Sequence, residues 1–264
     1  MMGAQCYGEC RGNVSFLLTD SRSLCFPEET LFFALRSARN DGQHYIAELY
    51  QRGVRRFVVA EVPDRWQANY ADATFLVVGD TLAALQQLAA RHRQRFAIPV
   101  VGITGSNGKT MVKEWLYQSL SKDHVVTRSP RSYNSQVGVP LSLWLLDAQT
   151  QLAVFEAGIS QPGEMEVLHN IIRPTLGVLT MIGEAHQENF PSMEAKCQEK
   201  LRLFEGTEAL VYPQDDPLVA RCVAESGYQG SLLCPAGGET AYPHHCPLPL
   251  AGSRGGKLYA AFHR

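Results

Sequence analysis

The chain lacks the features that most simply identify a partner or a compartment. Its 24 Lys and Arg residues are balanced by 26 Asp and Glu, a net charge of −2, so no basic field marks it for nucleic acid or an anionic membrane. No apolar run approaches the ~18 residues that span a bilayer. The opening MMGAQCYGEC has no charged segment followed by an apolar one, so it does not read as a secretion signal. The seven cysteines (Cys6, Cys10, Cys25, Cys197, Cys222, Cys234 and Cys246) are odd in number and form no paired CxxC motifs. That excludes a disulfide framework and a structural zinc site, and leaves reduced thiols and a cytoplasmic location as the expectation. There is no GxSxG elbow and no Cys–His pattern for a nucleophile. What remains is ordinary globular composition, 45% hydrophobic and 19% charged over 264 residues, enough for about two domains.

The order of apolar segments points to an α/β chain. VSFLL (14–18), LFFAL (31–35), RFVVA (56–60) and TFLVV (74–78) read as strands. Residues 43–52 read as a helix ending at Gly53, and 80–95 as a second helix with Asp80 and Thr81 at its start. These make a small α/β domain over residues 1–95. A second domain is expected over 96–264. Its strands are 98–103, 152–156, 176–181 and 209–212, and its helices 109–121, around 138–147, around 161–170, and 193–205. Such alternation predicts a doubly wound, mostly parallel sheet. After Gly230 periodicity fades, and Lys257–Phe262 reads as one strand of a unit that continues, so the second domain is expected to be incomplete.

The sharpest local feature is Gly102-Ile103-Thr104-Gly105-Ser106-Asn107-Gly108-Lys109-Thr110, placed after a buried strand and opening a helix. Glycines let the backbone curl so that several N–H groups face one anion, and the helix N-terminus adds partial positive charge. Lys109 suits the outer phosphates of a nucleotide and the Thr110 hydroxyl suits Mg²⁺. The match to GxxxxGK[ST] is imperfect, because its first glycine falls on Ile103. Glu156 ends a buried strand, where ligands of open α/β sheets bind and where a carboxylate suits Mg²⁺; the plainer alternative is a surface Glu capping a helix. His186 also follows a strand. Lys196, Lys200 and Arg202 could be a solvated helix face. Ser21 and Arg22 form a polar turn or a phosphate fork. Asn134 precedes a helix whose first turn carries Pro140.

TGSNGKT resembles the loop of the Mur ligase family and of its relative folylpolyglutamate synthase, and further segments resemble that family in the same order from about residue 14 to 206. The resemblance implies an ATP-dependent amide ligase of cell-wall precursor synthesis. ATP would be held by Gly105, Ser106, Asn107, Gly108, Lys109 and Thr110. Glu156-Ala157-Gly158 fits the family's metal-binding E-x-G, and AHQENF its AH-x-x-x-F, whose histidine, here His186, binds a second Mg²⁺. A lysine four residues before a Phe is carbamylated by CO₂ in the family; Lys200 stands there before Phe204, with Lys196 as the other candidate. The metal set implied is therefore Thr110, Glu156, His186 and Lys200, and the catalytic set Lys109, Glu156, His186 and Lys200. Asp20-Ser21-Arg22 resembles the motif that binds the UDP moiety, and Tyr133–Pro140 the N-x-x-x-G-x-P segment, with Asn134 toward the muramoyl acceptor. FFALRSARNDGQHYI resembles the family's FFAL…DGH segment, but Gln43 stands at the usual His position.

The DSR, FFAL and DGQHYI combination is most similar to the branch that joins D-alanyl-D-alanine to UDP-N-acetylmuramoyl-tripeptide through an acyl phosphate. The branch that adds the third, diamino residue is the alternative, as is a precursor- and nucleotide-binding fragment without turnover. The family's third, Rossmann-like domain is not expected within these residues.

Overall fold

The computed structural model describes residues 3–9, 12–37 and 40–234; the strand expected at 257–262 lies outside them. The chain divides into two compact units between Arg91 and His92, slightly before the boundary expected at 95/96.

The first unit contains β1 (Gln5–Tyr7), β2 (Phe16–Leu18), β3 (Thr30–Phe33), the short pair β4 (Arg36–Ser37) and β5 (Asn40–Asp41), α1 (Ile46–Gln51), β6 (Arg56–Val59), α2 (Trp66–Asn69) and β7 (Thr74–Val77); α3 (Thr81–Arg93) follows. The sheet order is β1-β7-β6-β3-β2, parallel except for β1, which runs antiparallel to β7. Its centre is aromatic. Phe32, Phe57 and Phe75 are fully buried, and the rings of Phe57 and Phe75 stack at 5.3 Å. The helix expected over 43–52 begins instead as a 3-10 turn over Gly42–Tyr45. The side chain of Asp41 accepts from Gln43 N, and Gly42 lies so close to Ala34 that a Cβ there would fall 2.7 Å from its Cα. The tight turn satisfies that crowding before α1 begins.

The second unit is the doubly wound parallel sheet. Its elements are β8 (Val100–Thr104), α4 (Lys109–Leu120), β9 (Val126–Arg128), α5 (Gly138–Leu143), β10 (Leu152–Glu156), α6 (Glu164–Ile172), β11 (Leu176–Leu179), α7 (Met193–Leu201), β12 (Ala209–Val211), α8 (Pro217–Glu225) and β13 (Ser231–Leu233). The order is β13-β12-β11-β8-β10-β9, with every pairing parallel. Every residue of β8, β10 and β11 is buried, as expected for strands covered on both faces. β8 has β10 on one side and β11 on the other, so the strand order reverses around it and opens a crevice at the carboxyl ends of these strands. All the sequence-predicted residues of this unit lie around that crevice or on the helices behind it. The helix expected over 193–205 ends at Leu201 and continues as a 3-10 turn, Arg202–Phe204, and α5 is shorter than the expected 138–147. Among the described residues, no helix is long and apolar enough to cross a membrane.

Candidate active site

The loop after β8 is shaped by contacts with the end of β11. Gly105 has φ +144, and a Cβ there would fall 1.9 Å from Thr180 Oγ1, so only glycine fits. The Thr180 hydroxyl lies within hydrogen-bond distance of Asn107 O (2.6 Å) and Thr104 O (3.2 Å). Ser106 donates its N–H to Met181 O and its hydroxyl to Gly183 O. Gly108, at φ +83, then starts α4 with no side-chain cap. The first N–H groups of α4 thus lack side-chain acceptors and suit an anion. Lys109 folds over this loop, donating to Gly105 O at 2.8 Å and Ser106 O at 3.2 Å. Burial lowers its pKa, opposed by the nearby charge of Glu156. A phosphate on the loop would offer this ammonium a charged acceptor in place of two carbonyls.

Glu156 is fully buried at the end of β10. Its Oε2 accepts from the Thr110 hydroxyl at 3.0 Å and from the Asn134 amide at 3.3 Å. Its Oε1 lies 3.0 Å from Lys113 Nζ, but off hydrogen-bond alignment, so the contact is an ion pair and Oε1 carries no hydrogen bond. Gly158 completes the motif: its N–H donates to Asn134 O at 2.7 Å, and a Cβ would press on Asn134 Oδ1 at 2.9 Å. The donor set fits Mg²⁺. Adjacent oxygens of an octahedral shell with 2.0–2.1 Å bonds stand about 2.9 Å apart, and Thr110 Oγ1 and Glu156 Oε2 already stand 3.0 Å apart. Among the described residues, no cluster of three or more His, Cys, Asp or Glu could hold a metal, so phosphate and water would supply the other ligands.

An open cleft of about 440 Å³ is lined by Ser106, Lys109, Asn134, Gly158, His186 and Lys200, among others. The two candidate lysines of α7 separate here. Lys200 is buried but reaches the cleft, and burial, with Lys109 and Lys196 nearby, lowers its pKa to about 8. Lys196 instead donates to Gly183 O and Ala185 O, tying α7 to the segment before His186. His186 is exposed and holds a left-handed backbone, φ 59, unusual for a residue with a side chain. In the first unit, Asp20 caps the turn carrying Ser21 and Arg22. Ser21 is buried, and its carbonyl accepts from Arg52. The exposed Arg22 guanidinium is engaged by Asp20 through Nε and Nη2, so binding a diphosphate would exchange one anion for another.

Several residues in this framework were not legible beforehand. Lys113 sits one helical turn beyond Lys109 and belongs to none of the motifs. Thr180 carried no motif. Glu199 carried none either; its Oε1 accepts from Gly163 N and Met165 N at the start of α6, holding that helix to α7.

A phosphate loop at the switch point of a parallel sheet, facing a buried carboxylate that meets the loop's own threonine, defines a P-loop-type nucleotide-binding α/β domain. Residues 103–236 match the model of the Mur ligase middle domain, and the chain belongs to the Mur ligase family. It is 33% identical to the UDP-N-acetylmuramoyl-tripeptide–D-alanyl-D-alanine ligase of Bacillus subtilis, over 76% of this chain and 44% of that protein. It is 33% identical to the Synechocystis enzyme of the same name, over 94% of this chain and 57% of that protein. A crystal structure of MurF from Acinetobacter baumannii superposes with a TM-score of 0.74 at 29% identity, covering 83% of this chain and 47% of that one. MurF from Thermotoga maritima, in complex with ADP, gives 0.71 at 26% identity, covering 83% and 49%. The chain spans about half the length of these relatives.

Proposed function

We propose that this chain is the nucleotide- and precursor-binding part of an ATP-dependent ligase that joins D-alanyl-D-alanine to UDP-N-acetylmuramoyl-tripeptide. The observation that carries this reading is the convergence of Lys109 and Thr110 at the start of α4, Glu156 at the end of β10 and Lys200 on α7 around one crevice. The relatives' printed activity supports the choice of substrates, and the free thiols among the described cysteines suit a cytoplasmic reaction.

A carboxylate is a poor electrophile, so amide formation needs it activated. In this reading the precursor's terminal carboxylate attacks the γ-phosphorus of ATP, ADP leaves, and the amine of the dipeptide then displaces phosphate from the acyl phosphate. The protein's part is to position and to neutralise charge. The loop N–H groups and Lys109 hold the phosphates in line. Thr110 and Glu156 would hold Mg²⁺, which offsets the negative charge of the phosphoryl oxygens when bound. Lys200, with its amine brought to a pKa of about 8, has a neutral fraction near physiological pH that CO₂ can carbamylate. That converts a cation into an oxygen ligand which, with His186, suits a second divalent ion. Ser21 and Arg22 would take the UDP moiety, and Asn134 the muramoyl end.

A second reading, the fragment reading, is a unit that binds precursor and nucleotide without turnover. The test is ADP release with Mg-ATP, UDP-N-acetylmuramoyl-tripeptide and bicarbonate, with and without D-alanyl-D-alanine, alongside calorimetry of precursor binding. ADP release needing both acceptor and dipeptide supports the ligase. Precursor binding without ADP selects the fragment reading. Neither, from folded protein, overturns the acceptor assignment.

A further inference from the structure

Lys113 and Glu156 form an ion pair in which both side chains are wholly inaccessible to solvent. Burying two charges is costly unless the geometry repays it, and the geometry here is asymmetric. Glu156 Oε2 faces the site, in contact with Thr110 and Asn134. Oε1 is sealed away from solvent, with Lys113 Nζ 3.0 Å from it. Lys113 is itself fixed by Arg131 O and, at 3.2 Å, by Glu114 Oε1, while Glu114 is held from its other side by Arg128. A chain of charges thus runs from the outside of α4 inward and ends on the oxygen of Glu156 that points away from the site.

We propose that Lys113 is a positioning residue that reserves Oε1 and presents Glu156 to a divalent cation through Oε2 alone, so that the site favours Mg²⁺ over Ca²⁺. This rests on the nucleotide–Mg²⁺ reading above. Mg²⁺ takes six oxygens at 2.0–2.1 Å in a rigid octahedron, whereas Ca²⁺ takes six to eight at 2.3–2.6 Å and commonly draws both oxygens of a carboxylate. With Lys113 in place, Glu156 cannot turn both oxygens inward without giving up its ion pair with a fully buried ammonium, which would keep only Glu114 Oε1 and Arg131 O. Without it, only the contacts to Oε2 restrain the carboxylate plane, and two-oxygen ligation becomes open to the larger ion. The polar contacts of the Lys113 ammonium are with Glu156, Glu114 and Arg131 O, so it acts on the site through Glu156.

The test is calorimetric binding of a non-hydrolysable ATP analogue to the whole chain, with MgCl₂ or CaCl₂, for the wild type, Lys113→Met and Lys113→Arg. The wild type is expected to bind more tightly with Mg²⁺ than with Ca²⁺ by roughly tenfold, the equivalent of about one charge-assisted contact. In Lys113→Met the ratio falls toward one, and Lys113→Arg restores much of it. A merely structural lysine would weaken binding with both ions alike and leave the ratio unchanged, so a folded Lys113→Met with the wild-type ratio overturns the proposal. Equal binding with the two ions in the wild type overturns it as well, whether or not the variant folds. Absence of nucleotide binding by folded wild type with either ion removes the nucleotide reading and this proposal together.

Discussion

Replacing Lys200 by Met should stabilise the protein at neutral pH and do nothing of the kind at high pH. The amine is buried between α7 and the cleft, and burial together with the Lys109 and Lys196 charges lowers its pKa from the ordinary 10.5 to about 8. That gap corresponds to about 3 kcal/mol of folding free energy. The direction follows from proton binding. Below pH 8 the amine is charged in both the folded and unfolded chain, and the folded state carries the full cost. Between 8 and 10.5 the unfolded chain binds the extra proton, so wild-type stability rises with pH. Above 10.5 both states are neutral and the cost is gone. Met keeps most of the side-chain volume and removes the charge. Guanidinium unfolding in CO₂-free buffer should therefore show Lys200→Met more stable than wild type by up to about 3 kcal/mol at pH 7, with the difference shrinking by pH 10. Adding bicarbonate at pH 7 should narrow the gap from the wild-type side alone, because a carbamate faces two lysines as an anion. With labelled bicarbonate, a carbamate carbon resonance should appear in wild type and be absent from the variant. A variant less stable than wild type at pH 7, or a difference that does not change between pH 7 and 10, would refute this account of the Lys200 environment.

Two further outcomes follow from local geometry. Gly105→Ala places a methyl 1.9 Å from Thr180 Oγ1 at a φ of +144; strain and overpacking together should cost roughly 2–5 kcal/mol in chemical denaturation, and the cost should be smaller in a Thr180→Ala background. Arg22→Ala removes only an exposed pair with Asp20, so the melting temperature should hold while calorimetric affinity for the UDP precursor falls; unchanged affinity would remove Arg22 from the acceptor site.

The strands that frame the crevice were legible because burial on both faces leaves a short, nearly continuous apolar run. Leu152–Glu156 is such a run, and it was read with its observed limits. The two edge strands of that sheet were not. Val126–Arg128 is half-buried and mixed in polarity, and Ser231–Leu233 is largely exposed, so neither carries a periodic signal. α8 was missed as well, although Asp216 caps it and Pro217 opens it, a start signal that the sequence does contain. Among candidate site residues, those standing in motifs were singled out. Lys113 and Glu199 were not, because a charged residue on a helix is usually solvated and only the neighbouring element shows otherwise.

The sequence by itself determined the phosphate loop, the carboxylate at the end of β10 and the order of the α/β elements, since each depends on residue type and short-range spacing. The spacing to Phe204 in the family's motif put Lys200 ahead of Lys196, one helical turn away on the same face of α7. Tertiary structure adds that Lys196 ends on the carbonyls of Gly183 and Ala185 while Lys200 lines the cleft. It alone decided that Glu156 offers one oxygen to the site and turns the other toward Lys113. Sequence spacing fixes which face of a helix a side chain leaves from, but only the packed neighbours decide whether that face meets water, a carbonyl or a buried charge.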